Sequence, residues 1–189
     1  MVPRSSYGME DLERIFTDAF ERYSDELFRH CAMRLSNRDR ALELTQECFM
    51  RTWQYAQKGQ EIRELRPFLY RTLRNLVIDE YRRHKPQSLE AMVTEEKPDV
   101  EALLPADESN TLTAAMERHE GARALEMLKQ LPDLYREVLA LRYVEGLSLT
   151  EIADIIDETE NAVSVRIHRG LKKLKELLEP THTSPDIQK

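Results

Sequence analysis

Asn161, Ser164, Val165 and His168, interleaved with Arg166, Arg169, Lys172 and Lys173, carry the clearest chemistry in this 189-residue chain. Amide, hydroxyl and imidazole groups can bond the edges of bases, a valine can meet a thymine methyl, and guanidinium or ammonium groups can hold phosphates. A helical stripe of Val163, Ile167, Leu171, Leu174 and Leu178 would turn inward. That period leaves Glu160, Asn161, Ser164 and His168 outward, with Val165 at the edge. The residues near the start of such a helix are expected to read base edges. The basic ones on its flanks and further along are expected to position it on phosphates.

A helix must present these groups, and a second must brace it. Leu149, Ile152, Ala153 and Ile156 fall at i, i+3, i+4 and i+7, one face of a short helix. Ser148 with Glu151 makes a capping box at its start. Asp157, Glu158 and Thr159 form a polar turn, with Thr159 placed to cap the next helix and Asp157 at a left-handed position often held by glycine. With the small Ala153 at the crossing point, the stretch reads as a helix-turn-helix. The same pattern also describes a helical hairpin whose basic face is merely solvated, and the rest of the chain has to decide between them.

A second group of nucleic-acid-competent side chains lies earlier. Lys58, Arg63, Arg66, Arg71, Arg74, Arg82 and Arg83 offer phosphate partners, and Asn75 offers a base-edge donor and acceptor. Residues 61–85 hold seven basic side chains against four acidic ones. Trp53, Tyr70 and Tyr81 are candidate stacking platforms, but their periodicity assigns them to the core. Glu43, Gln46, Glu47 and Met50, again at i, i+3, i+4 and i+7, make a polar, acidic face with one apolar contact. Catalytic arrangements are absent: there are no paired catalytic carboxylates, no Ser/His/Asp set, no phosphate-cradling glycine loop and no metal-ligand spacing. No enzyme activity, cofactor or metal is expected. Cys31 and Cys48 sit inside helical patterns without CxxC spacing, which suits two reduced, buried thiols in a cytoplasmic protein.

Periodicity and breakers set the frame. Leu12, Ile15, Phe16, Ala19, Phe20, Tyr23, Leu27, Cys31 and Leu35 keep one stripe, interrupted at residues 36–39. A second helix is expected from Asp39 to Gln57 and a third from Pro67, at its first position, to His84. Residues 86–112 are acidic, aperiodic and carry Pro86, Pro98 and Pro105, the composition of a flexible linker. Between residues 86 and 120, nine acids face only Lys97 and Arg118, which accounts for the whole formal charge of −7 and leaves the remainder neutral. Helical patterning resumes near Thr113, and Leu131-Pro132-Asp133 opens a further helix that is expected to end at Gly146. The expectation is an all-α protein of two small helical domains, residues 9–85 and 113–179, joined by the acidic linker and followed by a tail, residues 180–189. No apolar run approaches the roughly 20 residues of a membrane span. The opening MVPRSSYG resembles a vector-derived protease-site scar with Met9 as a candidate native start, and the segment stays outside the fold argument.

The segment ALELTQECFMRTW (Ala41–Trp53) with RPFLYRTLRNLVIDEYRR (Arg66–Arg83) resembles domain σ2 of the extracytoplasmic-function (ECF) group of bacterial sigma-70-family sigma factors. LPDLYREVLALRYVEGLSLTEIADIIDETENAVSVRIHRGLKKL (Leu131–Leu174) resembles domain σ4 of the same group, in the same order. Thr45 and Cys48 stand where the family more often has Val and Thr or Val, and Phe68 where it often has Trp. The resemblance implies a σ2 bundle of three to four helices and a σ4 helix-turn-helix bundle. It implies binding to core RNA polymerase through the β′ clamp helices and the β flap, recognition of promoter DNA, and assistance in opening it. By the same resemblance Glu43, Gln46, Glu47 and Met50 would dock on the clamp helices. The loop Gln57–Leu65 with the third helix would hold the single strand of the minus-10 element, and Asn161, Ser164, Val165 and His168 would read the minus-35 element. An anti-sigma factor covering both domains is a further implied partner. Two readings from other classes stay open: a helix-turn-helix regulator that never joins polymerase, and a module that only sequesters a partner.

Overall fold

The computed structural model describes residues 9–35, 37–84 and 121–178, and the regular elements there are all helices. Helix α1 spans Met9–Arg34, α2 Arg38–Gln57 and α3 Leu65–His84. Asn37 starts α2 by accepting the Arg40 backbone N–H on its side chain at 3.0 Å. Gly59, at φ +73°, ends it, because the left-handed turn there admits glycine without a Cβ penalty. Helix α3 begins at Leu65, so Pro67 is its third residue and not its first. The first four N–H groups of a helix have no intrahelical acceptor, so proline is tolerated there as well.

These three helices bury Leu27, Cys31, Ala41, Leu44, Cys48, Leu69, Leu73, Leu76 and Val77 between them. At one end Phe16, Ala56 and Ile62 form a smaller cluster with Trp53 and Phe68. Trp53 meets Phe16 edge-on at 5.0 Å, and Tyr70 is buried, as periodicity required. Tyr81 is half-buried and donates its hydroxyl to the Arg34 carbonyl at 2.5 Å. Both cysteines are free and buried, and burial pushes each thiol up to about 12, so neither is a thiolate at neutral pH.

The second unit contains α4 (Gly121–Gln130), α5 (Asp133–Leu139), a π-helical turn (Ala140–Val144), α6 (Leu149–Ile156) and α7 (Glu160–Leu178). Arg136 ties the first connection together by donating to the carbonyls of Leu128, Lys129 and Leu131, acceptors left over at the end of α4. The helix expected to run unbroken to Gly146 widens at Ala140, where the Glu145 N–H reaches back five residues to the Ala140 carbonyl at 3.0 Å. Gly146, at φ +69°, then turns the chain. The expected linker, the stretch 113–120 and the tail lie outside the described residues.

The two units also share a core. α3 packs on α6, and the apolar cluster runs without a break from Leu44 and Leu73 to Ile152 and Val163. Reading them as separate domains gives no hint of this contact. Among the described residues no helix is long and apolar enough to cross a membrane, and no cluster of His, Cys, Asp or Glu could hold a metal.

Candidate nucleic-acid interface

The helix-turn-helix is built as its sequence dictates. Ser148 caps α6: its Oγ accepts the Glu151 N–H at 3.2 Å while Glu151 Oε2 accepts the Ser148 N–H at 2.7 Å. Asp157 takes the left-handed conformation, φ 61° and ψ 47°, that ends the helix. Thr159 Oγ1 accepts the Ala162 N–H at 3.2 Å and so caps α7. Thr150 donates to Glu160 at 2.8 Å, tying the start of α6 to that of α7.

Val163, Ile167, Leu171 and Leu174 are buried against α5 and α6. Gly170 lets α7 come close: a Cβ added there would lie 3.1 Å from Leu139 Cδ1 and 3.2 Å from Tyr135 Cβ. Asn161 and Ser164 are exposed, Val165 and His168 are half-buried, and all four belong to the first half of α7. Arg166 is paired with Glu158, so part of its charge is spent inside the motif. Arg169 is half-buried, whereas Lys172 and Lys173 are exposed, the latter with its Nζ 5.3 Å above the Tyr135 ring.

The second set divides in two. Lys58, Arg63, Arg71, Asn75, Arg82 and Arg83 are exposed along α3 and the loop before it. Arg82 lies 3.6 Å from Asp79 and Arg83 3.9 Å from Glu80, and both guanidinium side chains stay exposed beside these i,i+3 partners. Arg66 and Arg74 are not free in this state. Arg66 Nε donates to Glu26 at 2.9 Å and its Nη2 to the Glu145 carbonyl at 2.8 Å. Arg74 Nε lies 3.3 Å from Glu137 Oε1 without reaching hydrogen-bonding geometry.

On α2, Glu43, Gln46 and Met50 are exposed and Glu47 is half-buried. Arg40 holds Glu43 at 2.6 Å and Arg51 holds Glu47 at 2.6 Å. Met50 is 60% exposed and Leu42, on the same face at i−8, is 49% exposed. Sequence reading missed Leu42. The signal was available, since an apolar residue at i, with Gln46 at i+4 and Met50 at i+8, interrupts an otherwise polar face.

Also missed was a buried polar group where the two units meet. Arg34 donates Nη1 to Glu137 at 2.5 Å and Nη2 to Asp133 at 2.6 Å. Burial opposes its charge, but Glu137 and Asp133 outweigh that and raise its pKa. Tyr70 donates its hydroxyl to Glu145 at 2.8 Å, and burial, with Glu145 beside it, holds that phenol protonated. Burial also raises the Glu145 carboxyl, against the Tyr70 hydrogen bond that lowers it. His30 Nδ1, 3.9 Å from Glu145 Oε1, has no hydrogen-bond partner, and burial followed by the Arg34 charge lowers its pKa to about 3. It is therefore neutral near pH 7. Here too a signal existed: His30 and Arg34 stand where the stripe Tyr23, Leu27, Cys31 would continue with apolar residues.

The comparisons with known proteins fit this geometry. Residues 19–87 match the model of Sigma-70 region 2, and residues 122–174 that of Sigma-70, region 4. Over 171 residues the chain is 29% identical to the ECF RNA polymerase sigma factor SigW of Bacillus subtilis (strain 168), covering 86% of this chain and 88% of SigW. It is 32% identical over 167 residues to the ECF RNA polymerase sigma factor SigE of Mycolicibacterium smegmatis, covering 88% of this chain and 62% of that one. The fold is similar, at TM-score 0.62 and 20% identity, to the sigma factor RpoE crystallised with the anti-sigma factor NepR from Bartonella quintana, covering 87% of this chain and 97% of that chain.

Proposed function

The chain belongs to the ECF group of sigma-70-family sigma factors, which directs core RNA polymerase to specific promoters and assists their opening, and from that premise we propose how its residues divide the work. Residues 9–85 act as σ2 and residues 113–179 as σ4, with 86–112 as linker and 180–189 as tail. Asn161, Ser164, Val165 and His168 read base edges in the minus-35 element from the first half of α7. Arg166, Arg169, Lys172 and Lys173 hold the phosphates beside it. The observation that carries this assignment is the register of α7: Val163, Ile167 and Leu171 are buried, and Asn161 and Ser164 stand exposed just after the Thr159 cap.

Lys58, Arg63, Arg71, Asn75, Arg82 and Arg83, joined by Arg66 and Arg74, hold the separated strand of the minus-10 element in an electropositive groove. Glu43, Gln46, Glu47 and Met50, with Leu42, dock on the β′ clamp helices, and the σ4 unit meets the β flap. An ordinary helix-turn-helix regulator has no use for that α2 face, and its exposed apolar pair supports a polymerase partner. The chain acts in the cytoplasm without catalysis of its own, and an anti-sigma factor restrains it by covering both domains. Co-purification with core polymerase followed by run-off transcription on a cognate promoter tests the assignment. Transcripts starting at that promoter only when this chain is present are expected. Binding to the promoter without recruitment of polymerase would refute it.

A further inference from the structure

Three glutamates stand around the turn that leads into α7, and two of them are taken up by the motif itself. Glu151 accepts both the N–H and the hydroxyl of Ser148 at 2.7 Å in the capping box, and Glu158 is paired with Arg166. Glu160 differs. It is the first residue of α7 and is exposed, and its partner is neutral: Oε1 accepts the Thr150 hydroxyl at 2.8 Å. Among the described residues no cation pairs with it, and Oε2 has no hydrogen-bond donor. Asn161 follows it directly and Ser164 comes one turn later, the residues assigned above to base edges.

An acid in the first turn of a helix is ordinary, because it answers the partial positive charge of the free N–H groups there. The helix already has its cap in Thr159, however, and this end of α7 is the part assigned to the major groove. A carboxylate brought to a polyanion without a cation beside it is repelled unless it meets a hydrogen-bond donor. Phosphates offer none. In the major groove the donors are the amino groups of cytosine and adenine, while guanine and thymine present acceptors. An ionised carboxylate only accepts. It suits the cytosine N4 amino group, which has no acceptor beside it on the same base, whereas adenine sets N7 next to N6. Thr150 orders the side chain in advance, anchoring one oxygen from α6 and leaving the other open.

We propose that Glu160 reads a cytosine in the minus-35 element through Oε2, and that Thr150 is the positioning residue that holds it there. The inference rests on the assignment of α7 to that element and adds a base identity to it. The carboxylate acts in both senses. It accepts from the cytosine amino group, and it rejects guanine or thymine at the same position on that strand by setting acceptor against acceptor.

The test uses polymerase holoenzyme carrying the full chain and a pool of promoter duplexes randomised across the minus-35 element, sequenced before and after binding. Wild type is expected to enrich cytosine roughly tenfold at one position on one strand. Glu160→Ala should flatten that position and leave the others as they were. Glu160→Gln should admit adenine there, because an amide can bond N6 and N7 together. Thr150→Val keeps the volume and loses the hydroxyl, so it should reduce the cytosine preference without moving it to another base. A helix-terminus role alone gives a different pattern: all sequences weaken together and the preference at every position survives.

A wild type with no cytosine-enriched position would overturn the cytosine contact. So would unchanged base preference in both Glu160→Ala and Glu160→Gln, or a uniform loss of affinity in them. Full cytosine preference in Thr150→Val would overturn the positioning role. Asn161→Ala in the same pool reports separately on the underlying assignment. If it changes the preference at its own position while the Glu160 variants change nothing, the cytosine contact alone fails. If neither changes any position, the docking of α7 fails with it.

Discussion

Lowering the pH should weaken the fold through His30. The imidazole is buried against Tyr70, 5.3 Å away edge-on, with Glu145, Arg34 and Asp133 as its charged surroundings. A solvated histidine takes up a proton near pH 6.5, while this one does so only at about 3. Between those values the unfolded chain binds the proton and the folded chain does not. The contribution of His30 is thus fully present above pH 6.5 and is lost as pH falls, by about 1.4 kcal/mol per unit. From pH 7.5 to 5.0 the loss is about 2 kcal/mol, a figure that requires only a folded pKa below 5. Glu145 works with the opposite sign. Its raised pKa means that the folded chain holds a proton the unfolded one has released, so its penalty shrinks as pH falls toward 4.5. Comparing wild type with His30→Gln isolates the histidine, because the other groups are common to both. Urea unfolding at pH 7.5, 6.0 and 5.0, followed by circular dichroism, should show wild type losing about 2 kcal/mol more than the variant over that range. Parallel losses would refute the burial of a neutral, unpartnered imidazole.

Other perturbations follow from the packing. Gly170→Val places methyl groups into Leu139 and Tyr135, already 3.1–3.2 Å from a bare Cβ, and should cost about 1–3 kcal/mol of stability in urea. Ser148→Ala removes the cap of α6 and should cost about 1 kcal/mol by the same measurement. Leu42→Ala with Met50→Ala strips the apolar part of the exposed α2 face. Affinity for core polymerase, titrated by fluorescence, should fall while the unfolding midpoint stays close to wild type.

The helices were legible because they announce themselves locally. The apolar stripes, the Ser148–Glu151 box, the Thr159 cap and the left-handed Asp157 all follow from residue type and spacing, and each has its expected geometry. The register of α7 came from the same source. Illegible were features that depend on distant partners. Nothing near Arg34 in sequence indicates Asp133 or Glu137, and the π turn at Ala140 is defined by hydrogen bonds that no residue type demands. Arg66 and Arg74 looked like free phosphate ligands for the same reason, since their acceptors on the C-terminal unit lie far along the chain. Gly170 could be noticed as a glycine inside a helix, but only the approach of α5 explains why it stands there.

Promoter discrimination by the polymerase holoenzyme tests the central claim most directly. Binding to a cognate promoter and to versions altered in the minus-35 element is measured across a salt series for wild type, Asn161→Ala, Ser164→Ala, Arg169→Ala and Lys172→Ala. The first two substitutions should each cost roughly 1–3 kcal/mol on the cognate site and relax the preference there. The last two should weaken all sequences alike and lower the salt slope by about 0.9 for each phosphate no longer neutralised. Intact discrimination in Asn161→Ala and Ser164→Ala, with altered discrimination in Arg169→Ala, would mean that α7 is docked in another register and would contradict the account.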